Sequence, residues 1–250
     1  METLQSFAAM YLKKLLKSCV DLVYPPICLH CRDTLLQDRE LLCETCFDLL
    51  ELIDVKLHCP ACFSIQYCTK KMHCVKCASK KSSLTYIAAA FEYKGAPSTF
   101  VKEFKYGNKP YLSQGLGSFM TAQFIQLKWP IPDLIVPVPQ SFSRWLTRGY
   151  NQAELLSDSI GQMIERPVVK ALIRKSDDFS QAGLSLCQRL KLNGKSIYLK
   201  KNQNLQDKVI LLVDDVLTTG TTLQICAEAL LEDYPNSIYA LTLCQANPIR

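Results

Sequence analysis

The fold is decided by one stretch of the sequence, Val209-Ile210-Leu211-Leu212-Val213-Asp214-Asp215-Val216-Leu217-Thr218-Thr219-Gly220-Thr221-Thr222. Its five leading apolar residues predict a strand that is buried on both faces of a parallel sheet. Two carboxylates follow at the end of this strand, and small hydroxyl residues surround a glycine after them. A helix is then predicted, because apolar residues recur at helical spacing, at Leu223, Cys226, Ala227, Leu230 and Leu231.

The loop between this strand and this helix has the chemistry of a phosphate site. Backbone N–H groups and Thr hydroxyls at a helix N-terminus bind phosphate well. The carboxylates of Asp214 and Asp215 would repel a phosphate, and they suit hydroxyl donors or a divalent cation beside it. A ligand with a phosphate and a neighbouring diol is a ribose 5-phosphate. The alternative is an ordinary strand-to-helix turn with Thr caps.

Other nucleotide-binding loops do not fit this stretch. It has neither the Gly-Lys-Ser/Thr of a Walker loop nor the Gly-x-Gly-x-x-Gly of a dinucleotide site. A receiver-type acidic pocket would need several more strand–helix units, and only 35 residues follow Asp215. The stretch resembles the signature of type I phosphoribosyltransferases, which bind 5-phosphoribosyl-1-pyrophosphate (PRPP). The resemblance implies that Asp214 and Asp215 contact the ribose hydroxyls and that the 5′-phosphate is held by Thr218, Thr219, Gly220, Thr221 and Thr222.

Composition sets the broad class. The 250 residues are 48% hydrophobic and 21% charged, as in a globular protein of one or two domains. The net charge of +6 favours polyanionic partners without being diagnostic. No apolar run reaches the ~18 residues that a membrane helix needs, so we expect a cytoplasmic protein without an integral membrane segment. Residues 1–24 predict an amphipathic helix packed on the protein, with a membrane-surface helix as the alternative.

Cysteines are concentrated in the first third of the chain, where ten of the 13 precede residue 78. Eight of them form four Cys-x-x-Cys pairs, and a shift of 31 residues superimposes the first two pairs on the last two. Such an internal repeat of paired knuckles is typical of Zn²⁺ held by four thiolates. We predict two structural zinc sites, formed by Cys28, Cys31, Cys43 and Cys46 and by Cys59, Cys62, Cys74 and Cys77.

Other arrangements of these cysteines stay open. Disulfides would need an oxidising compartment, for which the sequence shows no secretion signal. In a crossed arrangement, pairs from different repeats would share a metal. A closed shell of four Cys indicates no catalytic role. We expect the neighbouring histidines to be solvent-exposed knuckle residues, namely His30, His58 and His73.

The predicted domains are an N-terminal helix (1–24), a double zinc-ribbon module (25–80) and a phosphoribosyltransferase-like domain (84–250). From Lys56 to Lys81 there are six Lys and no acid. A solvated face is one interpretation of this run, and a surface for nucleic-acid phosphates is the other.

The predicted strand Leu134–Val138 leads into a basic loop, Gln140 to Gln152. Ligands of open α/β sheets bind beyond the carboxyl ends of strands, so this loop and the Asp214 loop should be neighbours. Arg144 and Arg148 supply the forked donors that a pyrophosphate needs, although an ordinary basic surface loop is the alternative. Residues 174–194 predict a polar lid, and Ile238–Leu243 predicts an edge strand.

The combination of parts is similar to the ComF/GntX family of bacterial competence-associated proteins. The resemblance rests on the Cys pairs and on Phe104-Lys105-Tyr106-Gly107, Val136-Pro137-Val138-Pro139, Arg148-Gly149-Tyr150-Asn151-Gln152, the lid residues Gln181, Arg189 and Asn193, and Val213–Gly220. One departure is Ser185-Leu186-Cys187-Gln188, where the family is more basic. The resemblance implies an α/β type I phosphoribosyltransferase core with a mainly parallel twisted sheet, preceded by a small zinc-ribbon module with four-cysteine metal sites.

The resemblance also implies a role in natural transformation, with single-stranded DNA and a competence helicase as partners. As an enzyme, the protein would bind PRPP with Mg²⁺, with Asp214, Asp215, Arg144 and Arg148 as catalytic residues and Lys105 as a further PRPP contact. As a binding module, it would hold single strands on the basic zinc-ribbon face without catalysis.

Overall fold

The computed structural model describes residues 26–35, 41–65, 67–68, 73–78, 82–175 and 196–246. The chain divides into two compact units, Met1–Glu51 and Leu52–Arg250. In the first unit, helix α1 (Glu44–Asp48) has Cys43 as its N-cap and contains Cys46. The second unit begins with a 3₁₀ turn (Val55–Leu57), an antiparallel pair of strands, β1 (Tyr67–Cys68) and β2 (His73–Cys74), and helix α2 (Val75–Ala78). The predicted boundaries of the three domains stay predictions.

A parallel sheet forms the centre of the second unit. It consists of β3 (Tyr86–Glu92), β4 (Leu134–Pro137), β7 (Val209–Leu217) and β8 (Ser237–Gln245), in the order β3-β8-β7-β4, and all three pairings are parallel. Parallel neighbours need crossover connections, which helices usually provide. Here the helices are α3 (Gly95–Tyr106), α4 (Leu112–Leu127), α5 (Phe142–Arg148), α6 (Gln152–Ile164) and α7 (Thr221–Leu230), which is followed by a 3₁₀ turn (Leu231–Asp233). This is the α/β architecture that the sequence predicts.

Both faces of the central strand β7 are covered, as its apolar run predicts. Ile210 and Leu212 belong to a buried cluster that includes Leu223 and Leu230 of α7. Leu211 and Val213, which are also fully buried, alternate to the other face. Helices α4 and α6 pack closely against each other, since a Cβ on Gly117 would overlap the side chain of Ser159.

The expectation of an edge strand near the chain's end is wrong. Strand β8 lies between β3 and β7, and its residues Ile238 to Cys244 are all buried. Seven successive buried positions suit a strand that has neighbours on both sides and helices on both faces. The order of strands along a chain does not fix their order in the sheet.

Strands β5 (Leu172–Arg174) and β6 (Ile197–Leu199) form a separate antiparallel pair beside α7. Several predictions lie outside the described residues. These are the N-terminal helix over 1–24, the lid residues Gln181 to Asn193, and all the Lys side chains of the 56–81 run except Lys56. Within the described ranges, no helix has the length and hydropathy to cross a membrane.

Candidate functional site

The acid pair lies within strand β7 rather than after it. The strand continues through Asp214 and Asp215 to Leu217, because β8 runs alongside and pairs with it as far as Gln245. The sequence indicated an end at Val213, where the apolar run stops. Hydrogen bonding to β8 therefore fixes the backbone of both acids, which places them at the carboxyl edge of the sheet.

A cavity of about 420 Å³ opens at this edge. It is lined by residues at or just after the ends of five strands (β3, β4, β5, β7 and β8) and by residues of helices α3, α5, α6 and α7. Seven predicted site residues line it, namely Lys105, Arg144, Arg148, Asp214, Asp215, Thr218 and Thr222. The segment Gln140 to Gln152 and the Asp214 loop are therefore neighbours, as predicted. Thr219, Gly220 and Thr221 lie between Thr218 and Thr222, which face the cavity.

Lys105 and Asp215 form an ion pair inside this cavity. The Lys105 Nζ lies 2.8 Å from Asp215 Oδ1, and the two side chains are 18% and 14% exposed. Lys105 is in the last turn of α3, so the pair connects that helix to strand β7. Partial burial strengthens the Coulombic attraction beyond that in a surface ion pair, which contributes at most about 1 kcal/mol, while desolvation of the two charges offsets part of this gain.

Asp214 has an unusual protonation equilibrium. Burial, followed by repulsion from the Asp215 carboxylate, raises the pKa of Asp214 to about 7. The backbone N–H of Asp215, which donates to Asp214 Oδ1 at 2.8 Å, and the cations Lys105 and Arg144 oppose this rise only in part. Perturbed carboxylates of this kind are common at functional sites. Asp214 is therefore an acceptor that a hydroxyl donor or a cation would stabilise in its charged form.

The segment after Pro139, which the sequence suggested to be a loop, contains the short helix α5. Arg144 and Arg148 are one turn apart on this helix, so both reach the cavity wall. Gly149 ends the helix with a φ of +77°, a conformation that glycine adopts without steric cost. The helix thus positions the two guanidinium groups on one side of the cavity.

Hydrogen bonds hold the start of α6 against α3. Tyr150 donates its hydroxyl to the Phe104 carbonyl at 2.6 Å, and Gln152 donates to the same carbonyl at 3.2 Å. Asn151 caps α6 through Ala153 N–H and donates to the Val138 carbonyl at 3.0 Å. The Arg-Gly-Tyr-Asn-Gln segment therefore acts mainly as a brace around the cavity.

Arg148 is oriented by two neighbours in this brace. Its guanidinium donates to Gln152 Oε1 at 3.1 Å and lies 5.2 Å from the centre of the Tyr106 ring. Because the guanidinium is already held at two points, its remaining donors can bind a ligand with little further loss of side-chain entropy.

The Thr/Gly loop has the backbone geometry of a helix start. Gly220 is the N-cap of α7 and has a φ of +79°, a region that costs other residues roughly 1–2 kcal/mol. The Thr219 and Thr221 hydroxyls lie 2.9 Å apart. The first backbone N–H groups of α7 thus follow directly on the cavity, as an anion site requires.

Sequence reasoning missed several residues of the cavity wall. They are Tyr93 and Ala246, together with Tyr106, Gln140 and Arg174, which belong to stretches that were predicted to matter but received no role of their own. Tyr93, Arg174 and Ala246 each lie at or just after the end of a strand, so the rule that ligands bind beyond carboxyl ends of strands would have identified them. Arg174 adds a cation that brings the lining to four cations against two carboxylates.

The cysteines form two clusters, one per sequence repeat. Cys28, Cys31, Cys43 and Cys46 form the first, Cys59, Cys62, Cys74 and Cys77 form the second, and their Sγ atoms lie within 4.8 Å of one another in each. The Sγ–Sγ distances Cys31–Cys43, Cys59–Cys77 and Cys62–Cys74 are 3.6, 3.7 and 3.6 Å. A tetrahedron with Zn–S bonds of about 2.3 Å has edges of about 3.8 Å, whereas a disulfide needs about 2.05 Å. Both clusters are therefore compatible with structural zinc, and the crossed pairing is not observed.

The repeat is also visible in the backbone of the knuckles. Arg32 N–H donates to the Cys28 carbonyl, and Phe63 N–H donates to the Cys59 carbonyl in the same way. Both residues have positive φ, at 72° and 57°. His58 is only 8% exposed, so the expectation of a solvent-exposed residue is wrong for it. Its ring stacks on Phe63 and bonds the Asp54 carbonyl, which gives it a structural role.

Comparison with known proteins identifies the fold first. The family model of the phosphoribosyl transferase domain matches residues 146–249, which include the end of α5, all of α6 and the Asp214 loop. Together with the parallel sheet, this match assigns to the chain a type I phosphoribosyltransferase core preceded by two four-cysteine clusters of the zinc-ribbon kind.

Curated relatives then identify the family. The chain is 30% identical over 205 residues to competence protein F of Haemophilus influenzae, covering 78% of this chain and 86% of that protein. It is 24% identical over 229 residues to DNA utilization protein YhgH of Escherichia coli K12, covering 90% and 99%. With competence protein ComFC of Bacillus subtilis, the identity is 28% over 144 residues, covering 58% and 57%. The chain belongs to the ComF family.

Proposed function

We propose that this protein binds PRPP, or a related ligand with a phosphorylated ribose, and acts as a phosphoribosyltransferase. The observation that carries the proposal is the cavity in which the acid pair, the Thr/Gly loop and the arginines of α5 meet. Each of the three suits a different part of PRPP. If the Thr/Gly loop only connected a strand to a helix, it would need neither the acid pair nor the arginines of α5 beside it.

The roles follow from charge and position. Asp214 and Asp215 accept hydrogen bonds from the ribose hydroxyls, and the loop 218–222 binds the 5′-phosphate at the start of α7. Arg144 and Arg148 bind the pyrophosphate with forked donors. The excess of four cations over two carboxylates in the lining supports a polyanionic ligand.

The reaction needs little covalent chemistry from the protein. The bond between ribose C1 and the pyrophosphate oxygen breaks, the bonding electrons leave with pyrophosphate, and an incoming amine forms the new bond to C1. The amine's proton is released to solvent or to a neighbouring base. Arg144 and Arg148 stabilise the negative charge on the leaving group, so catalysis rests on positioning and electrostatics. Mg²⁺, which suits the carboxylate and phosphate oxygens present here, would add charge neutralisation.

Calorimetric titration with PRPP and Mg²⁺ tests this proposal. Wild-type protein should bind, and Asp214→Asn/Asp215→Asn should lose binding, because each Asn replaces a charged acceptor by a neutral amide. Asp158→Asn is the matched control, since Asp158 is an exposed carboxylate of α6 outside the cavity lining. Unchanged affinity in the double variant would refute the assignment of the acid pair.

We also propose that each four-cysteine cluster binds one Zn²⁺ with a structural role. Four thiolates at tetrahedral spacing close the coordination shell, which leaves no position for a substrate. Zinc would supply cross-links that hold short knuckles too small to form a core of their own.

The relatives named as competence and DNA utilization proteins support a role in DNA uptake. We place the protein in the cytoplasm, with imported single-stranded DNA and a competence helicase as partners. A second candidate function is single-strand binding by the basic zinc-ribbon face from Lys56 to Lys81, without catalysis. The supporting feature is the run of six Lys without an acid, which matches a phosphate backbone.

Salt dependence separates this second function from the first. Phosphate contacts make affinity fall with salt concentration, so a single strand held by the Lys run should bind weakly at high salt. Replacing Lys70 and Lys71 by Gln should weaken strand binding and leave PRPP binding intact. Strand binding that ignores both salt and these replacements would contradict the second function.

A further inference from the structure

Helix α5 carries apolar side chains that the described part of the chain leaves uncovered. None of its residues, Phe142 to Arg148, is buried. Phe142, Trp145 and Leu146 expose 56%, 50% and 69% of their surface. Large apolar side chains that cluster in solvent commonly mark interaction sites. Packing alone therefore does not explain why these residue types occur here.

The two exposed aromatic side chains of this helix stack on each other. Phe142 and Trp145 are three positions apart on the helix, so they lie on the same side of it. Their ring centres are 5.9 Å apart and the planes differ by only 23°. We call this pair the aromatic platform. Because both rings are half exposed, the outer face of the stacked pair can continue a column of stacked nucleic-acid bases.

Cations adjoin the aromatic platform. Arg144 and Arg148 lie on the neighbouring side of the same helix, at the wall of the cavity. No acid occurs between Asp133 and Glu154, so no negative charge along this segment opposes a phosphate. Tyr106, which is 75% exposed, lies under the Arg148 guanidinium and extends the aromatic character of the rim.

We propose that helix α5 is a binding site for single-stranded nucleic acid, in which bases stack on Phe142 and Trp145 while strand phosphates bind Arg144 and Arg148. Alternating aromatic and cationic groups match the two chemical components of a single strand. A stable protein partner would need about 800 Å² per side, far more than two rings and one Leu offer. A membrane-surface helix would be longer and would carry a wider apolar face. The inference goes beyond PRPP binding, which does not require the aromatic platform, and differs from the second candidate function because it places the strand on α5 rather than on the Lys run. Since Arg144 and Arg148 serve both ligands, the strand and PRPP should compete.

Fluorescence of Trp145 provides a direct test. The protein has two Trp, and Trp129 is partly buried among Phe124 and Tyr239. Titration with an oligothymidylate of about 12 nucleotides should therefore quench the exposed Trp145 by stacking. In separate anisotropy titrations, Phe142→Ala and Trp145→Ala should each weaken binding roughly five- to hundredfold. Trp145→Ala should also abolish the quenching.

Leu146→Ala is the matched control, since Leu146 is an exposed apolar neighbour that cannot stack. It should change the affinity by less than about twofold, because exposed aliphatic side chains contribute little. Phe142→Ala should keep the wild-type calorimetric affinity for PRPP and Mg²⁺. This inference can therefore fail while PRPP binding stands, and PRPP binding can fail while this inference stands.

Three results would overturn the inference. The first is an oligonucleotide that binds without changing the Trp145 emission, since the strand would then lie elsewhere. The second is an equal loss of binding in Leu146→Ala, which would indicate an apolar contact rather than stacking. The third is a Trp145 emission that responds to vesicles of anionic phospholipid and not to the oligonucleotide, which would assign α5 to a membrane surface.

Discussion

The ammonium group of Lys105 lies 2.8 Å from the Asp215 carboxylate, and neither side chain is more than 18% exposed. This ion pair brings a cation from helix α3 to two adjacent acids on strand β7, where burial and then repulsion from the Asp215 carboxylate raise the pKa of Asp214. Lys105 therefore reduces the cost of keeping two carboxylates together. It also balances the charge that a polyanionic ligand would meet on this wall.

Replacing Lys105 by Met should lower both stability and ligand affinity. The Asp215 carboxylate would lose its partner while it stays largely buried, which costs roughly 1–3 kcal/mol. Thermal unfolding at pH 8 measures the loss, and calorimetry with PRPP and Mg²⁺ measures the affinity. Lys102→Met, at an exposed position of the same helix, should leave both unchanged. Equal effects of the two variants would mean that the ion pair contributes nothing specific.

The raised pKa of Asp214 predicts how the stability of the folded protein depends on pH. Its pKa in the folded protein is about 7, above the ordinary value of 3.8, so the folded state binds the proton more tightly than the unfolded state. The stability that this group contributes is present at low pH and is lost as the pH rises from about 4 to 7. Above pH 7 the folded protein must bury a charge there.

Asp214→Asn should accordingly raise the melting temperature at pH 8 and change it little at pH 4, where both the folded and the unfolded state still hold much of the proton. The amide oxygen of Asn can still accept the Asp215 N–H that Asp214 accepts now. Scanning calorimetry at the two pH values measures the difference, with the exposed carboxylate Asp158→Asn as the control. A lower melting temperature at pH 8 would contradict the raised pKa.

Gly220 gives a prediction about the backbone. Its φ of +79° means that Gly220→Ala should destabilise the protein by roughly 1–2 kcal/mol and distort the start of α7. Gly115→Ala offers a control of opposite sign, because Gly115 is exposed within α4 and a Cβ there meets nothing within 4 Å. It should stabilise by about 0.5–1 kcal/mol. Denaturant unfolding of both variants measures the two changes, and equal signs would argue against the strain at Gly220.

The Cys clusters predict a zinc content of two ions per chain. Metal analysis of the purified protein should give this stoichiometry, and Cys31→Ser and Cys62→Ser should each remove one ion. The reason is that the two residues belong to different clusters. Cys226→Ala, a buried cysteine of α7 outside both clusters, should retain both ions. Loss of both ions from a single ligand variant would indicate coupled sites rather than independent ones.

The sequence predicted the parts of the site better than their arrangement. The Cys repeat and the apolar run of β7 are local patterns, so four-cysteine clusters and a buried strand were predictable, although the repeat left the pairing of the Cys pairs open. The position of β8 between β3 and β7 depends on a crossover that no local pattern encodes. The ion pair of Lys105 and Asp215 joins residues 110 positions apart, and only tertiary packing brings them together.

Helix α5 shows a second limit of what the sequence could predict. Its residues were interpreted as a loop, because Gly149 and several Ser and Thr residues resemble turn chemistry, and none of its residues is buried to give a helical apolar face. In our proposal the short helix matters because it places Arg144 and Arg148 on one side of the cavity.

Arg148 separates pyrophosphate binding from binding of the rest of the ligand. Its guanidinium is held by Gln152 and by the Tyr106 ring, and in our proposal its remaining donors bind pyrophosphate. Arg148→Lys keeps the charge and removes the fork, so affinity for PRPP and Mg²⁺ should fall roughly tenfold or more. Affinity for ribose 5-phosphate, which lacks the pyrophosphate, should change by less than about twofold, since no charge-assisted hydrogen bond is lost. Arg166→Lys, at an exposed site, controls for the substitution itself, and paired calorimetric titrations measure both ligands. Equal losses for the two ligands would show that Arg148 supports the whole cavity rather than the pyrophosphate alone.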